Sequence, residues 1–128
     1  MNLLLDTHLL LWSAFAVERI PQATVRRLSD PGNALWFSAA SIWEVAIKRA
    51  LDRPDFRVDP GPLRAGLVAG GYLELPVEGR HVLALATLPR HHADPFDRML
   101  VAQAMTEGMQ LLTADRRVAA YGGPVRMV

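Results

Sequence analysis

Apolar and polar positions along the chain change period several times, and each change predicts an element. Asn2 to Leu5 is a short apolar run ended by Asp6-Thr7, the pattern of a buried strand. From His8 the spacing turns helical, with Leu9, Leu10, Trp12, Ser13 and Phe15 on a broad apolar face. Pro21 opens a second helix through about Leu28, which Asp30-Pro31-Gly32 closes. Ala34 to Phe37 predicts the second strand. Ile42 to about Leu51 predicts a helix carrying Trp43, Val45, Ala46, Ile47 and Ala50. Asp52 to Pro62, with its prolines and alternating charge, reads as a loop.

Leu63 to Val68 predicts a short helix stopped by Gly70-Gly71, and Tyr72 to Val77 a third strand. Glu78 to Leu88 follows as a helix with Val82, Leu83, Leu85 and Ala86 inward, and Pro89 to Ala93 as a loop holding His91 and His92. In the next stretch Asp94 suits a helix cap, Pro95 the first helical position, and Asp97 the first turn. Met99, Leu100, Ala102, Ala104 and Met105 supply its buried face, and Gly108 stops it. Gln110 to Thr113 is a buried strand from which Asp115 emerges. A short helix near Arg116 to Tyr121, a break at Gly122-Gly123-Pro124 and a last strand from Val125 to Val128 complete the chain. Strands alternating with helices predict an α/β fold, a parallel sheet covered on both faces, as one domain over residues 1–128.

Composition narrows the function classes. With 128 residues, the chain can bury roughly two-thirds of its unfolded surface. It has no cysteine, which excludes disulfides and thiolate metal sites and fits a reducing compartment. The apolar runs are too short to span a bilayer, and MNLLLDTH lacks the basic start of a signal peptide, so a cytoplasmic protein without membrane partners is expected. A net charge of +1 implies no partner by itself. All basic residues but Lys48 are arginines, which suit phosphate contacts.

Four acids stand where predicted strands feed helices: Asp6, Glu44, Asp97 and Asp115. Each has a structural explanation. Asp6 and Asp115 suit N-caps, Ser41-x-x-Glu44 and Asp94-x-x-Asp97 match or resemble capping boxes, and Glu44 with Lys48 is an i,i+4 ion pair. In a parallel sheet, however, all these positions share one edge. Two carboxylates about 5 Å apart repel by roughly 3 kcal/mol at an effective dielectric of about 20. Helix dipoles offset roughly 0.3–1 kcal/mol each, so the remainder calls for a cation or shifted pKa values. Oxygen donors without thiolate point to Mg²⁺ or Mn²⁺. Without these four acids the chain carries 14 basic residues against nine acidic ones, a basic surround suited to a phosphodiester.

The segments LLLDTHLLLW, SAASIWEVAIK, DPFDRMLVAQA and LLTAD, in this order, resemble the PIN-domain family, and more closely the VapC-like ribonuclease toxins of toxin–antitoxin modules. The resemblance runs from Asn2 to about Tyr121; the terminal GGPVRMV matches less well. It implies a three-layer α/β/α sandwich around a mostly parallel sheet and a Mg²⁺- or Mn²⁺-dependent endoribonuclease. It also implies an RNA substrate, a cognate antitoxin protein and a homodimer. The family's acidic quartet falls on Asp6, Glu44, Asp97 and Asp115, its hydroxyl near the last acid on Thr113, and an auxiliary acid on Asp94. Asp6 and Asp97 would hold the metal, with Asp115 ligating directly or through water. Glu44 would orient or deprotonate the attacking water.

Further candidates have two readings each. Thr7 and Thr113 either hydrogen-bond the carboxylates or satisfy backbone at strand ends, and Lys48 either meets a phosphate at the pocket rim or pairs with Glu44. His8, His91 and His92 admit a His/Asp phosphohydrolase, but lack zinc-like spacing. Trp12, Trp36 and Trp43 lie in apolar stretches and read as core or interface. Two other functions fit the same fold, an RNA-processing nuclease without antitoxin and an idle binding module; the four acids argue against the latter.

Overall fold

A computed structural model describes residues 1–128. The elements are β1 (Asn2–Leu5), α1 (Thr7–Phe15), α2 (Gln22–Ser29), β2 (Ala34–Ser38), α3 (Ala39–Ala50), α4 (Pro60–Ala69), β3 (Leu73–Leu75), α5 (Gly79–Leu85), α6 (Pro95–Glu107), β4 (Gln110–Thr113), α7 (Arg116–Ala119) and β5 (Val125–Met127). A single 3-10 turn, Val17–Arg19, links α1 to α2. All strands are parallel, in the order β3-β2-β1-β4-β5. The chain winds outward from β1 through β2 to β3, then returns to place β4 on the other side of β1. This reversal puts a crevice at the carboxyl ends of β1 and β4, where open α/β sheets bind ligands.

The strand period of two sorts the core into two layers. Leu4, Leu75, Leu111 and Val125, with Trp36 beside them, share a cluster with Leu100, Val101 and Ala104 of α6, Leu85 of α5 and Val118 of α7. Leu3, Leu5, Phe37 and Leu112 share the opposite cluster with Leu9 and Leu10 of α1, Val45 of α3 and Leu63 and Leu67 of α4. Leu3, Leu4, Leu5, Leu111 and Leu112 are fully buried, because a central parallel strand has helices over both faces. Burial of each such leucine contributes roughly 1.5–3 kcal/mol relative to exposure. No helix is long and apolar enough to cross a membrane.

Several boundaries differ from expectation for local reasons. Helix α4 begins at Pro60, inside the predicted loop, because both Pro60 and Pro62 sit in its first turn, where no intrahelical N–H is required. Helix α3 begins at Ala39 and not at Ile42; Ser38 is its cap, accepting the Ala40 N–H at 3.0 Å, so Ser41 belongs to the helix and forms no capping box. Strand β3 stops at Leu75, since Pro76 has no N–H to donate. Helix α5 turns Val82 and Leu83 to solvent and buries His81 instead, and Met105 of α6 is also exposed.

Candidate active site at the carboxyl edge of the sheet

Asp6 leaves β1 and caps α1, a position that buries its carboxylate at the crevice. One oxygen accepts the Leu9 N–H at 2.9 Å and the other accepts the Thr113 hydroxyl at 2.5 Å. Thr113, the last residue of β4, also accepts the Asp115 N–H on its hydroxyl oxygen at 3.0 Å, so one side chain ties the ends of the two neighbouring strands. Burial pushes the Asp6 carboxyl above its ordinary value, opposed by the Thr113 and Leu9 hydrogen bonds. Asp115 caps α7 and is clamped by Arg117: Oδ1 accepts the Arg117 N–H at 2.8 Å and Nε at 3.3 Å, and Oδ2 accepts Nη2 at 3.0 Å. The Arg117 hydrogen bonds hold Asp115 below the usual carboxylate range.

Glu44 lies in the second turn of α3, its side chain only 7% exposed. Lys48, one turn on and 39% exposed, reaches Glu44 Oε2 at 2.9 Å, so the pair is a rim cation on a buried acid and not an ordinary surface pair. Glu44 Oε1 is buried with no hydrogen-bond partner. Thr7 does not touch a carboxylate. Its hydroxyl donates to Ser41 Oγ at 2.9 Å and fastens α1 to α3 one turn before Glu44.

Asp94 caps α6, accepting the Phe96 and Asp97 N–H groups at 2.9 and 3.1 Å. The reciprocal half of a capping box is missing, because the Asp97 carboxylate faces His92, whose Nε2 is 3.2 Å from Oδ2. The Asp97 pKa is raised to about 6, first by burial, then by the Asp94 charge, with Asp6 and Glu44 adding and the His92 hydrogen bond opposing. Asp115 in turn raises Asp6. The acids expected from the sequence thus share one electrostatic field.

Such a group suits a cation. The donors are hard carboxylate oxygens, and the orphaned Glu44 Oε1 carries a desolvation cost of about 1–3 kcal/mol that a bound ion or its water would offset. Ligand atoms already within 4.8 Å of one another occur elsewhere, in Glu78, His81 and Glu107. That group lies at the far end of α6, roughly 15 Å from Asp97 at about 1.5 Å per residue. Both His81 nitrogens are engaged there, Nδ1 accepting the Glu78 N–H at 3.0 Å and Nε2 facing Glu107 at 3.1 Å, while Arg80 also pairs with Glu107.

Of the histidines, only His92 hydrogen-bonds an acid of the crevice; His8 acts on Asp6 through its charge alone, and His91 stacks edge-on against Tyr121 at 4.8 Å. Tyr121 and Arg117 carry no local sequence signal for the site, and His92 is marked only by preceding Asp94 by two positions. Trp12 and Trp36 are half-buried and pack against the two core clusters, while Trp43 is 63% exposed and meets Phe96 edge-on at 5.0 Å.

Comparison with solved structures gives the same architecture. The chain superposes on VapBC2 from Rickettsia felis, solved bound to a DNA fragment from their promoter, with a TM-score of 0.70 at 11% identity over 100% of this chain and 98% of that one. VapBC-1 from nontypeable Haemophilus influenzae gives 0.67 at 18% identity over 100% and 97%, and FitAcB from Neisseria gonorrhoeae 0.60 at 17% over 96% and 95%. No curated protein sequence matches the chain significantly. The PIN domain sequence profile matches residues 3–124, from the first buried strand to the last break. With that match across nearly its whole length, the chain belongs to the PIN domain family.

Proposed function

We propose that this protein is a metal-dependent endoribonuclease and the toxin half of a toxin–antitoxin pair, its whole length acting as one PIN domain. The observation that carries the chemistry is the acid cluster, with Asp97 raised to about 6 and Glu44 Oε1 buried and unpartnered. Asp6 and Asp97 would hold Mg²⁺ or Mn²⁺, with Asp115, now paired with Arg117, ligating directly or through water. When bound, such an ion makes water more acidic and offsets charge on the phosphate oxygens. Thr113 keeps the Asp6 carboxylate aimed at the crevice through its hydrogen bond. Lys48 occupies one oxygen of Glu44, which leaves Oε1 to orient the attacking water and take its proton. Lys48 and Arg117 at the rim meet RNA phosphates. The products carry a 5′-phosphate and a 3′-hydroxyl.

The toxin role draws on a similar structure solved as a toxin–antitoxin complex from Klebsiella pneumoniae. Exposed Trp43 and half-buried Phe96 beside the acids suit a protein partner such as an antitoxin. We extend the same reading to a cytoplasmic homodimer. Purified protein cleaves single-stranded or loop RNA with Mg²⁺ or Mn²⁺ and loses that activity in EDTA. Undiminished cleavage in EDTA by protein shown to be metal-free overturns the mechanism.

A further inference from the structure

Three side chains outside the acid quartet form a directional chain into it. Arg98 Nη1 donates to the Tyr121 hydroxyl oxygen at 2.8 Å and to the Pro89 carbonyl at 2.9 Å. A guanidinium can only donate, so the Tyr121 oxygen is the acceptor in that pair and its single proton is free for another partner. His92 Nδ1, at 3.0 Å, is placed to accept it, and we assign the bond in that direction. A neutral imidazole that accepts at Nδ1 carries its proton on Nε2, which faces Asp97 Oδ2 at 3.2 Å. An imidazolium would donate from both nitrogens. In either state the Nε2 proton goes to Asp97.

The arrangement matters because Asp97 has no other side-chain anchor. Its carboxylate accepts only the His92 hydrogen bond, while Asp94, Asp6 and Glu44 all push its charge away. Left free, the side chain would rotate toward water. The His92 ring is itself buried and packed edge-on against Tyr121 at 5.5 Å, so it is a fixed donor. With Oδ2 held by His92, Asp97 Oδ1 is left without a hydrogen-bond partner in the protein.

We infer that His92 and Tyr121 are positioning residues for Asp97, with Tyr121 orienting the imidazole and the imidazole orienting the carboxylate toward a divalent cation. This rests on the proposed role of Asp97 as a metal ligand. Hydrogen-bond partners one step removed from a metal change affinity by about 10–100-fold when lost.

The test measures Mn²⁺ binding alone by calorimetry on the full-length protein, with thermal midpoints recorded in EDTA. His92→Leu binds Mn²⁺ about tenfold more weakly or worse, and His92→Gln, whose amide can still donate to Asp97, recovers most of that loss. Tyr121→Phe, which keeps the ring, gives an intermediate loss and decides the matter if His92→Leu does not fold. A purely structural role would lower thermal midpoints, leave Mn²⁺ affinity of the folded protein unchanged and show no rescue by glutamine. If Asp97→Asn abolishes binding but Tyr121→Phe and the His92 variants bind as the parent does, this inference is overturned and the proposed function stands. If the parent and Asp97→Asn bind Mn²⁺ equally, or neither binds, both fall.

Discussion

Asp97 is half-buried among three like charges, and burial and those charges raise its carboxyl pKa from 3.8 to about 6. Because the folded state holds this proton more tightly than the unfolded chain, stability falls as pH rises from about 4 to about 6 and then levels. The displacement corresponds to roughly 3 kcal/mol at most, and partial exposure screens it to about 1–2 kcal/mol. Asp97→Asn removes that cost. In EDTA at pH 7–8 the variant is therefore more stable by about 1 kcal/mol, after the loss of a favourable first-turn charge. The gain disappears near pH 4, where the parent is protonated, and RNase activity is lost throughout. Thermal melts from pH 4 to 8 beside a cleavage assay check both parts; a variant less stable at pH 8 would mean that Asp97 serves only the helix. At this scale the two threonines show what adjacency conceals. Thr7 follows Asp6 directly yet bonds Ser41, whereas Thr113, distant in sequence, bonds the Asp6 carboxylate.

Elements were the most readable scale, because their signals are local. Helix α6 starts at Pro95 behind the Asp94 cap and ends at Gly108, in the left-handed region at φ 67° and ψ 32°, as the residue pattern implies. A Cβ at Gly108 would meet nothing within 4 Å, so a substitution there is resisted by backbone conformation and not by packing. Gly108→Ala accordingly lowers stability by about 1–2 kcal/mol, with Tm down by several degrees. It leaves metal-dependent cleavage intact, because the acids lie at the other end of the helix. Denaturant unfolding and a cleavage assay test this separation. Where element boundaries escaped the pattern, two local signals competed. Pro60 and Pro62 are as compatible with a first helical turn as with a loop. Ser38 and Ser41 both suit a cap, and only the end of β2 at Ser38 selects the first. The inward face of α5 was misjudged because His81, though polar, is satisfied by Glu78, Gln103 and Glu107, and displaces Val82 and Leu83 from the interior.

At the scale of the whole molecule, the parallel sheet turns acids at helix caps and in early helical turns into one mutually repelling group, set in a chain otherwise rich in arginine. Lys48 stands where these fields meet, at the rim beside Glu44. Lys48→Met keeps much of the stem and removes the charge. It weakens RNA binding and flattens the dependence of log affinity on log salt by about 0.7, one single-strand phosphate contact. Binding at several salt concentrations checks this, and an unchanged affinity and slope returns Lys48 to an ion pair of local importance. The sequence alone determined the alternation of strands and helices, the capping acids and the i,i+4 pairing of Lys48 with Glu44, since these depend on spacings of a few residues. It also carried the family resemblance in four ordered segments. Only the tertiary structure decided that β4 lies beside β1, that Thr113 bridges Asp6 and Asp115, that Arg117 occupies Asp115, and that Tyr121 directs His92 onto Asp97. Those are contacts between distant stretches of chain. They depend on which faces pack together and on the direction a side chain takes once buried, neither of which local periodicity encodes.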